Sequence, residues 1–374
     1  MWTFRGYGLC GGRSPAIQVE VYRHLPSQKT EHSLCCYLRA TQPDPRVTSV
    51  RCSFRTPEGG DRMLTTLPNT PSTMTDERPV SAAEVHKLDA NEVLLTDWQH
   101  IGADRFSVSA RWPARHRFYA EKQDQRDALL LVECVRQSIP MLCHSAYDTP
   151  FGFRQAWENL RFAVEPSMLA RNGTDLAIRL DISCSDVIRR GSRLGGMTMD
   201  VQASWQGVPA AIVRTKFNNQ SPVVYQRLRG ANGDVATAHA AALAPGRPVS
   251  SELVGRHRAS DVVLAPAPDH PPYHWFLRND LAHPILFDHP VDHSPGMLLL
   301  ETARQAALAR CTRAATVVGM TTRFIHYAEF DAPCLVSTAP LPTADSRDGA
   351  RTVQVTLSQN DRVLFTADVI TARV

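Results

Sequence analysis

Nowhere does the sequence hold an apolar run of the roughly 18 residues that a membrane-spanning helix needs. The longest candidate, residues 297–309, is broken by Glu301, Arg304 and Gln305. The N-terminus lacks the apolar core of a secretory signal, so a cytoplasmic protein without a membrane partner is expected. Nine cysteines are present but no Cys-x-x-Cys, which leaves free thiols as the expectation. Fourteen histidines are many, and several fall between Asp269 and His293, yet no partner cysteines complete a ligand set. No metal and no other cofactor is therefore expected. A net charge of +4 is too weak and dispersed to argue for nucleic acid. The cations are mostly arginine, which suits phosphate or carboxylate. What is present is an ordinary soluble balance, 43% hydrophobic and 21% charged, over 374 residues, enough for two domains and a tail.

The tail comes first. Residues 1–78 are rich in Gly, Pro, Ser, Thr and Arg, with little periodicity. They are expected to be a poorly ordered extension, or to precede the true start, with Met63 or Met74 as candidates. Residues 17–22 and 33–38 are the short strands the segment could hold.

From residue 80 the chain repeats itself. Asp127-Ala-Leu-Leu-Leu-Val-Glu133-Cys-Val-Arg136-Gln137 is matched, 168 residues later, by Pro295-Gly-Met-Leu-Leu-Leu-Glu301-Thr-Ala-Arg304-Gln305. Upstream, Asn91-Glu-Val-Leu-Leu is matched by Ser260-Asp-Val-Val-Leu; downstream, Arg161-Phe162 by Arg323-Phe324. Each copy ends in an apparent hairpin, at 197–217 and at 351–370. Helices are expected over 129–144 and 297–309. Both are apolar on most sides, so each should be buried. A curved antiparallel sheet wrapped around one long helix meets that demand. The expected fold is α+β, a tandem hotdog: first unit 79–217, linker 218–251, second unit 252–374. Fusion of two copies makes a pseudo-dimer within one chain, able to associate further.

Glu133 and Glu301 lie in helices that should be buried, each with Arg at i+3 and Gln at i+4. A stabilising internal pair and a catalytic carboxylate are both compatible with this pattern. Ahead of the second helix stands Phe287-Asp288-His289-Pro290-Val291-Asp292-His293-Ser294-Pro295-Gly296. Pro295 suits a helix start, and Gly296 leaves the first amides open to a ligand. In the first copy Asp127 would cap those amides instead. The second helix start therefore reads as open and the first as plugged. His86-Lys87 and Arg256-His257-Arg258 precede the first strand of each unit, as phosphate or carrier contacts or as a solvated edge.

The segments 85–97 and 287–305 resemble the A-factor biosynthesis hotdog family, and the likeness runs from about residue 80 to the C-terminus. The resemblance implies transfer of a β-ketoacyl group from an acyl carrier protein thioester to the hydroxyl of dihydroxyacetone phosphate. That ester leads to γ-butyrolactone or methylenomycin-type furan signals that switch on antibiotic production. In that chemistry His289 or His293 is the candidate base, oriented by Asp292 or Asp288, with Glu301 as the rival. The amides near Gly296 and Met297 would hold the oxyanion. Arg304, Arg323 or Lys87 would neutralise the phosphate, with Glu133, Arg136 and Gln305 as further substrate-binding candidates. The second copy is also similar to the dehydratase hotdog motif, but the dehydratase histidine would fall at Phe287, two residues before His289. A thioesterase or dehydratase on acyl thioesters, or a non-catalytic acyl-binding regulator, are the alternatives.

Overall fold

The computed structural model describes residues 78–120, 125–170, 173–342 and 351–373, with two further short strands. Those two, β1 (Trp2–Arg5) and β2 (Gln18–Val21), pair antiparallel within a first unit, Met1–Pro71. β2 falls inside the strand expected at 17–22. The strand expected at 33–38, and Met63 and Met74, lie outside the described residues.

The second unit, Ser72–Val374, holds the repeat. Its first copy contains β3 (Arg78–Pro79), β4 (Leu95–Gly102), β5 (Arg105–Trp112), α1 (Leu129–Ser145), β6 (Arg154–Val164), α2 (Pro166–Leu169), β7 (Leu176–Arg190), β8 (Arg193–Trp205) and β9 (Val208–Gln220). Two short helices follow, α3 (Pro222–Arg229) and α4 (Val235–Ala240). The second copy contains β10 (Leu264–Pro266), β11 (His274–Leu277), α5 (Gly296–Leu308), β12 (Ala315–Phe324), β13 (Leu335–Leu341), β14 (Arg351–Gln359) and β15 (Arg362–Arg373).

The strands alternate as a sheet with one buried face requires. In β7, Leu176, Ile178, Leu180 and Ile182 point inward while Ala177 and Arg179 point out. The hairpin turns carry two residues at positive φ, Gln206-Gly207 and Asn360-Asp361, matching the twist of the strands they join. α1 and α5 are wrapped by the concave face, with 14 of 17 and 12 of 13 residues buried. Each leucine so buried contributes roughly 1.5–3 kcal/mol. β6 and β12 pair edge to edge, with Thr321 opposite Arg161, and join the two sheets into one of thirteen strands. The fold is the tandem hotdog.

The repeat extends to single hydrogen bonds. Gln137 accepts from the Leu94 amide and donates to the Glu92 carbonyl; Gln305 accepts from Val263 and donates to Asp261. His116 accepts the amides of Phe118 and Tyr119, as His283 accepts those of Ile285 and Leu286. The segment between the copies departs from the expected linker. Ser221 caps α3, Pro222 opens it, and Gly230 at φ 56° ends it.

Candidate functional site

A cavity of about 550 Å³ lies between the two copies. One wall is the start of α5. Leu298 and Leu299 donate to the Pro295 carbonyl, and no side chain caps the helix. Among the described residues, nothing accepts from the Gly296 or Met297 amides, so two donors and the positive end of the helix dipole face the cavity. A β-carbon on Gly296 would lie 2.8 Å from the Trp157 ring. Glycine is thus required for this wall to close on the indole.

The opposite wall comes from the first copy. Glu133 accepts from Arg136 through both oxygens, at 2.9 Å each, and from Gln137 at 2.9 Å; Lys87 Nζ stands 3.2 Å away. Burial would raise this carboxyl, but Arg136 and Lys87 outweigh it and hold the group at about 2. It is an anion with two cations beside it. Arg154, exposed on β6 and set over the Tyr225 ring, adds a third cation with no carboxylate partner among the described residues.

The third wall is the loop ahead of α5. His293 Nδ1 lies 2.9 Å from Asp292 Oδ1. Asp292 also accepts from Tyr225 at 2.7 Å and from Arg229 Nε at 3.0 Å, and Arg229 is held by Glu329 at 2.6 and 2.8 Å. Burial would raise the Asp292 carboxyl, but the hydrogen bonds from His293, Tyr225 and Arg229 keep it well below the usual carboxylate range. An ionised Asp292 fixes the His293 proton on Nδ1 and leaves Nε2 free to take another. His289 is more loosely held. Its Nδ1 is 3.4 Å from Asp288, which also accepts the Leu88 amide. Burial, chiefly, pushes the His289 imidazole below its ordinary value.

The pseudo-symmetric counterpart of this site is closed. Asp127 occupies the start of α1 and accepts from the Leu129 amide at 2.8 Å. Its other oxygen takes Arg256 at 2.7 Å and lies 3.3 Å from Arg304. Arg256 and Arg304 both bind Glu301, which also accepts from Gln305. Burial would raise Glu301, but Arg256 and Arg304 hold it at about 2.

Nine of the thirteen residues given a role in that chemistry line the cavity: Lys87, Glu133, Arg136, Asp288, His289, Asp292, His293, Gly296 and Met297. Four do not. Glu301 and Arg304 are fully buried in the closed network and do not line the cavity. Gln305 repeats the structural task of Gln137. Arg323 projects from the exposed face of β12, while its neighbour Phe324 lines the cavity. Of the two helix glutamates, the one that lines the cavity is Glu133 of the first copy. Sequence reasoning missed Arg154, Tyr225 and Arg229. Only the Ser-Pro start of α3 carried a signal for any of them.

A family model described as the A-factor biosynthesis hotdog domain matches residues 69–219 and 237–374. The 2-oxo-3-(phosphooxy)propyl 3-oxoalkanoate synthase of Streptomyces virginiae is 39% identical over 282 residues, covering 75% of this chain and 93% of that protein. The protein of the same name from Streptomyces coelicolor is 36% identical over 292 residues, covering 77% and 90%. Among solved structures, the 12:0-ACP thioesterase from Umbellularia californica covers 72% of this chain and 98% of its own, at 9% identity and a TM-score of 0.42.

Proposed function

Since the chain belongs to the A-factor biosynthesis hotdog domain family, we propose that it is a 2-oxo-3-(phosphooxy)propyl 3-oxoalkanoate synthase. That product joins a 3-oxoacyl group to the hydroxyl of dihydroxyacetone phosphate. The donor is a 3-oxoacyl thioester on an acyl carrier protein, and we place the reaction in the cytoplasm, at the start of γ-butyrolactone-type signal synthesis. The observation that carries the reading is the joining, in one cavity, of an uncapped helix start, a His–Asp pair and a cationic corner.

The thioester carbonyl sits at the start of α5, where the amides of Gly296 and Met297 receive the developing oxyanion. The phosphate enters the corner of Lys87, Arg136 and Arg154, with Glu133 holding the first two in place. This sets the hydroxyl beside His293. Nε2 takes the hydroxyl proton as the oxygen attacks, with Asp292 stabilising the imidazolium. The tetrahedral intermediate then expels the thiolate, which receives that same proton. The C–S bond breaks, the C–O bond forms, and no proton is gained or lost overall.

Mass spectrometry of the protein with a 3-oxoacyl thioester, with and without dihydroxyacetone phosphate, tests the reading. A phosphorylated 3-oxoacyl ester, or the butenolide formed from it, is expected only with the phosphate acceptor. Free 3-oxo acid at the same rate with and without that acceptor would make the protein a thioesterase.

A further inference from the structure

His86 lines the cavity but takes no part in the acyl-transfer scheme. His86 has φ 55°, a left-handed backbone that a β-carbon disfavours. The matching turn of the second copy has Gly255 at φ 70°; the turns share their closing bond, Lys87 N to Ala82 O and Arg256 N to Ser251 O, each 2.9 Å. A strained residue kept where glycine suffices directs attention to its side chain.

The ring is wired. His86 Nε2 lies 2.8 Å from His144 Nε2, and His144 Nδ1 lies 2.7 Å from the Thr149 carbonyl oxygen. A carbonyl can only accept, so His144 holds a proton on Nδ1, and in the neutral ring its Nε2 is the acceptor. His86 must then supply the proton between the rings. Its own Nδ1 is left as a lone pair, to which nothing donates among the described residues.

The titratable and charged groups around it come from each element packed there. His144 and Arg136 of α1, Arg154 of β6 and His289 of the loop ahead of α5 act on His86. Lys87, Glu133 and Asp288 complete the corner. Three cations, Lys87, Arg136 and Arg154, face two carboxylates, Glu133 and Asp288, leaving one positive charge. A phosphomonoester dianion would reverse this to one negative charge and set an oxygen against a lone pair. A single proton removes both problems.

We propose that His86 shares one proton with the phosphate of the acceptor, so that a phosphomonoester dianion binds with uptake of one proton. This rests on the acceptor being phosphorylated, as in the scheme above. The proton comes from the medium and ends in the hydrogen bond between Nδ1 and a phosphate oxygen, with no bond to phosphorus or carbon changed. Before binding, the site is unprotonated. Burial first, then His144, Arg136, His289 and Arg154, lower the His86 imidazole to about 4.

Titration calorimetry of the full chain with dihydroxyacetone phosphate, without acyl donor, in buffers of different ionisation enthalpy counts the protons. At pH 8 the unaltered protein is expected to take up close to one per ligand. Its Kd should weaken about tenfold per pH unit above the second phosphate pKa of about 6. His86→Gly, which restores the residue of the second copy, should bind at least ~10-fold more weakly at pH 7, without uptake and with a flat Kd above pH 7. His86→Asn, also tolerant of left-handed backbone, should match it. Both should bind the acyl thioester as before. Equal uptake by the variants and the unaltered protein, or none by any of them, overturns the shared proton and leaves the acyl-transfer reading standing. Absence of any binding of dihydroxyacetone phosphate overturns both.

Discussion

The starts of α1 and α5 are the same structure put to opposite uses. Each faces a Glu–Arg–Gln cluster on the helix of the other copy. At α5 the first amides are uncapped, and the facing cluster, around Glu133, opens on a cavity. At α1 Asp127 caps the helix, and its second oxygen joins Arg256 to the cluster around Glu301. Two substitutions across the repeat mark the difference, Asp127 for Pro295 and Arg256 for Lys87. An ion-pair cluster of this kind thus becomes either a site or a strut according to what the opposite helix start presents.

Breaking the strut should have the largest effect. Glu301→Ala leaves Arg256 and Arg304 with Asp127 alone in a dry interior, and should cost about 3–5 kcal/mol of unfolding free energy in urea. Glu133→Gln, beside the cavity where water can reach the two cations, should cost less than Glu301→Ala and lower acyl transfer roughly 100-fold, because Lys87 and Arg136 lose the anion that orients them. Equal destabilisation by both would erase the distinction between the copies.

Next comes the base. His293→Ala should lower kcat by about 10²–10⁴-fold without moving the melting temperature, while His289→Ala, whose tether to Asp288 is long, should lower it less than about tenfold. The reverse ranking would move the chemistry to His289. Pro295→Asp would install at α5 what Asp127 does at α1, and should lower kcat about 100-fold as the carboxylate takes the Met297 amide. Unchanged turnover in that variant would remove the helix start from the mechanism.

The pH dependence of folding sharpens the comparison further. Both glutamates are held at about 2 in the fold, against 4.5 as the ordinary value. Their contribution is fully present above pH 4.5 and is lost as the pH falls from there towards 2. The urea midpoint should drop over that window, by an equivalent of order 3 kcal/mol for Glu301, and the Glu301→Gln variant should show a correspondingly shallower drop. The smallest effect is expected from Arg323→Ala. On the outer face of the sheet it should change stability by less than about 0.5 kcal/mol and turnover by less than twofold.

Much of this was legible in the sequence. The offset of 168 residues, the two apolar helices and the hairpins define the tandem fold, and the contrast of Asp127 with Pro295-Gly296 marks which helix start is free. Which glutamate lines the cavity was not legible, because Glu133 and Glu301 have identical neighbours at i+3 and i+4. Their difference is made by residues far away in sequence. Arg256 reaches Asp127 across 129 positions, and no local pattern encodes that. The segment 218–251 misled for a related reason. Its glycines and prolines read as a linker, and within it Gly230 stops α3 where Tyr225 and Arg229 meet Asp292.

The join between β6 and β12 has a consequence for inheritance. In a dimer of identical chains a substitution is written into both halves at once, so an aspartate at one helix start would shut both cavities. Once two copies lie in one reading frame, each can change alone. One half could then give up its cavity to internal ion pairs while the other kept an open one.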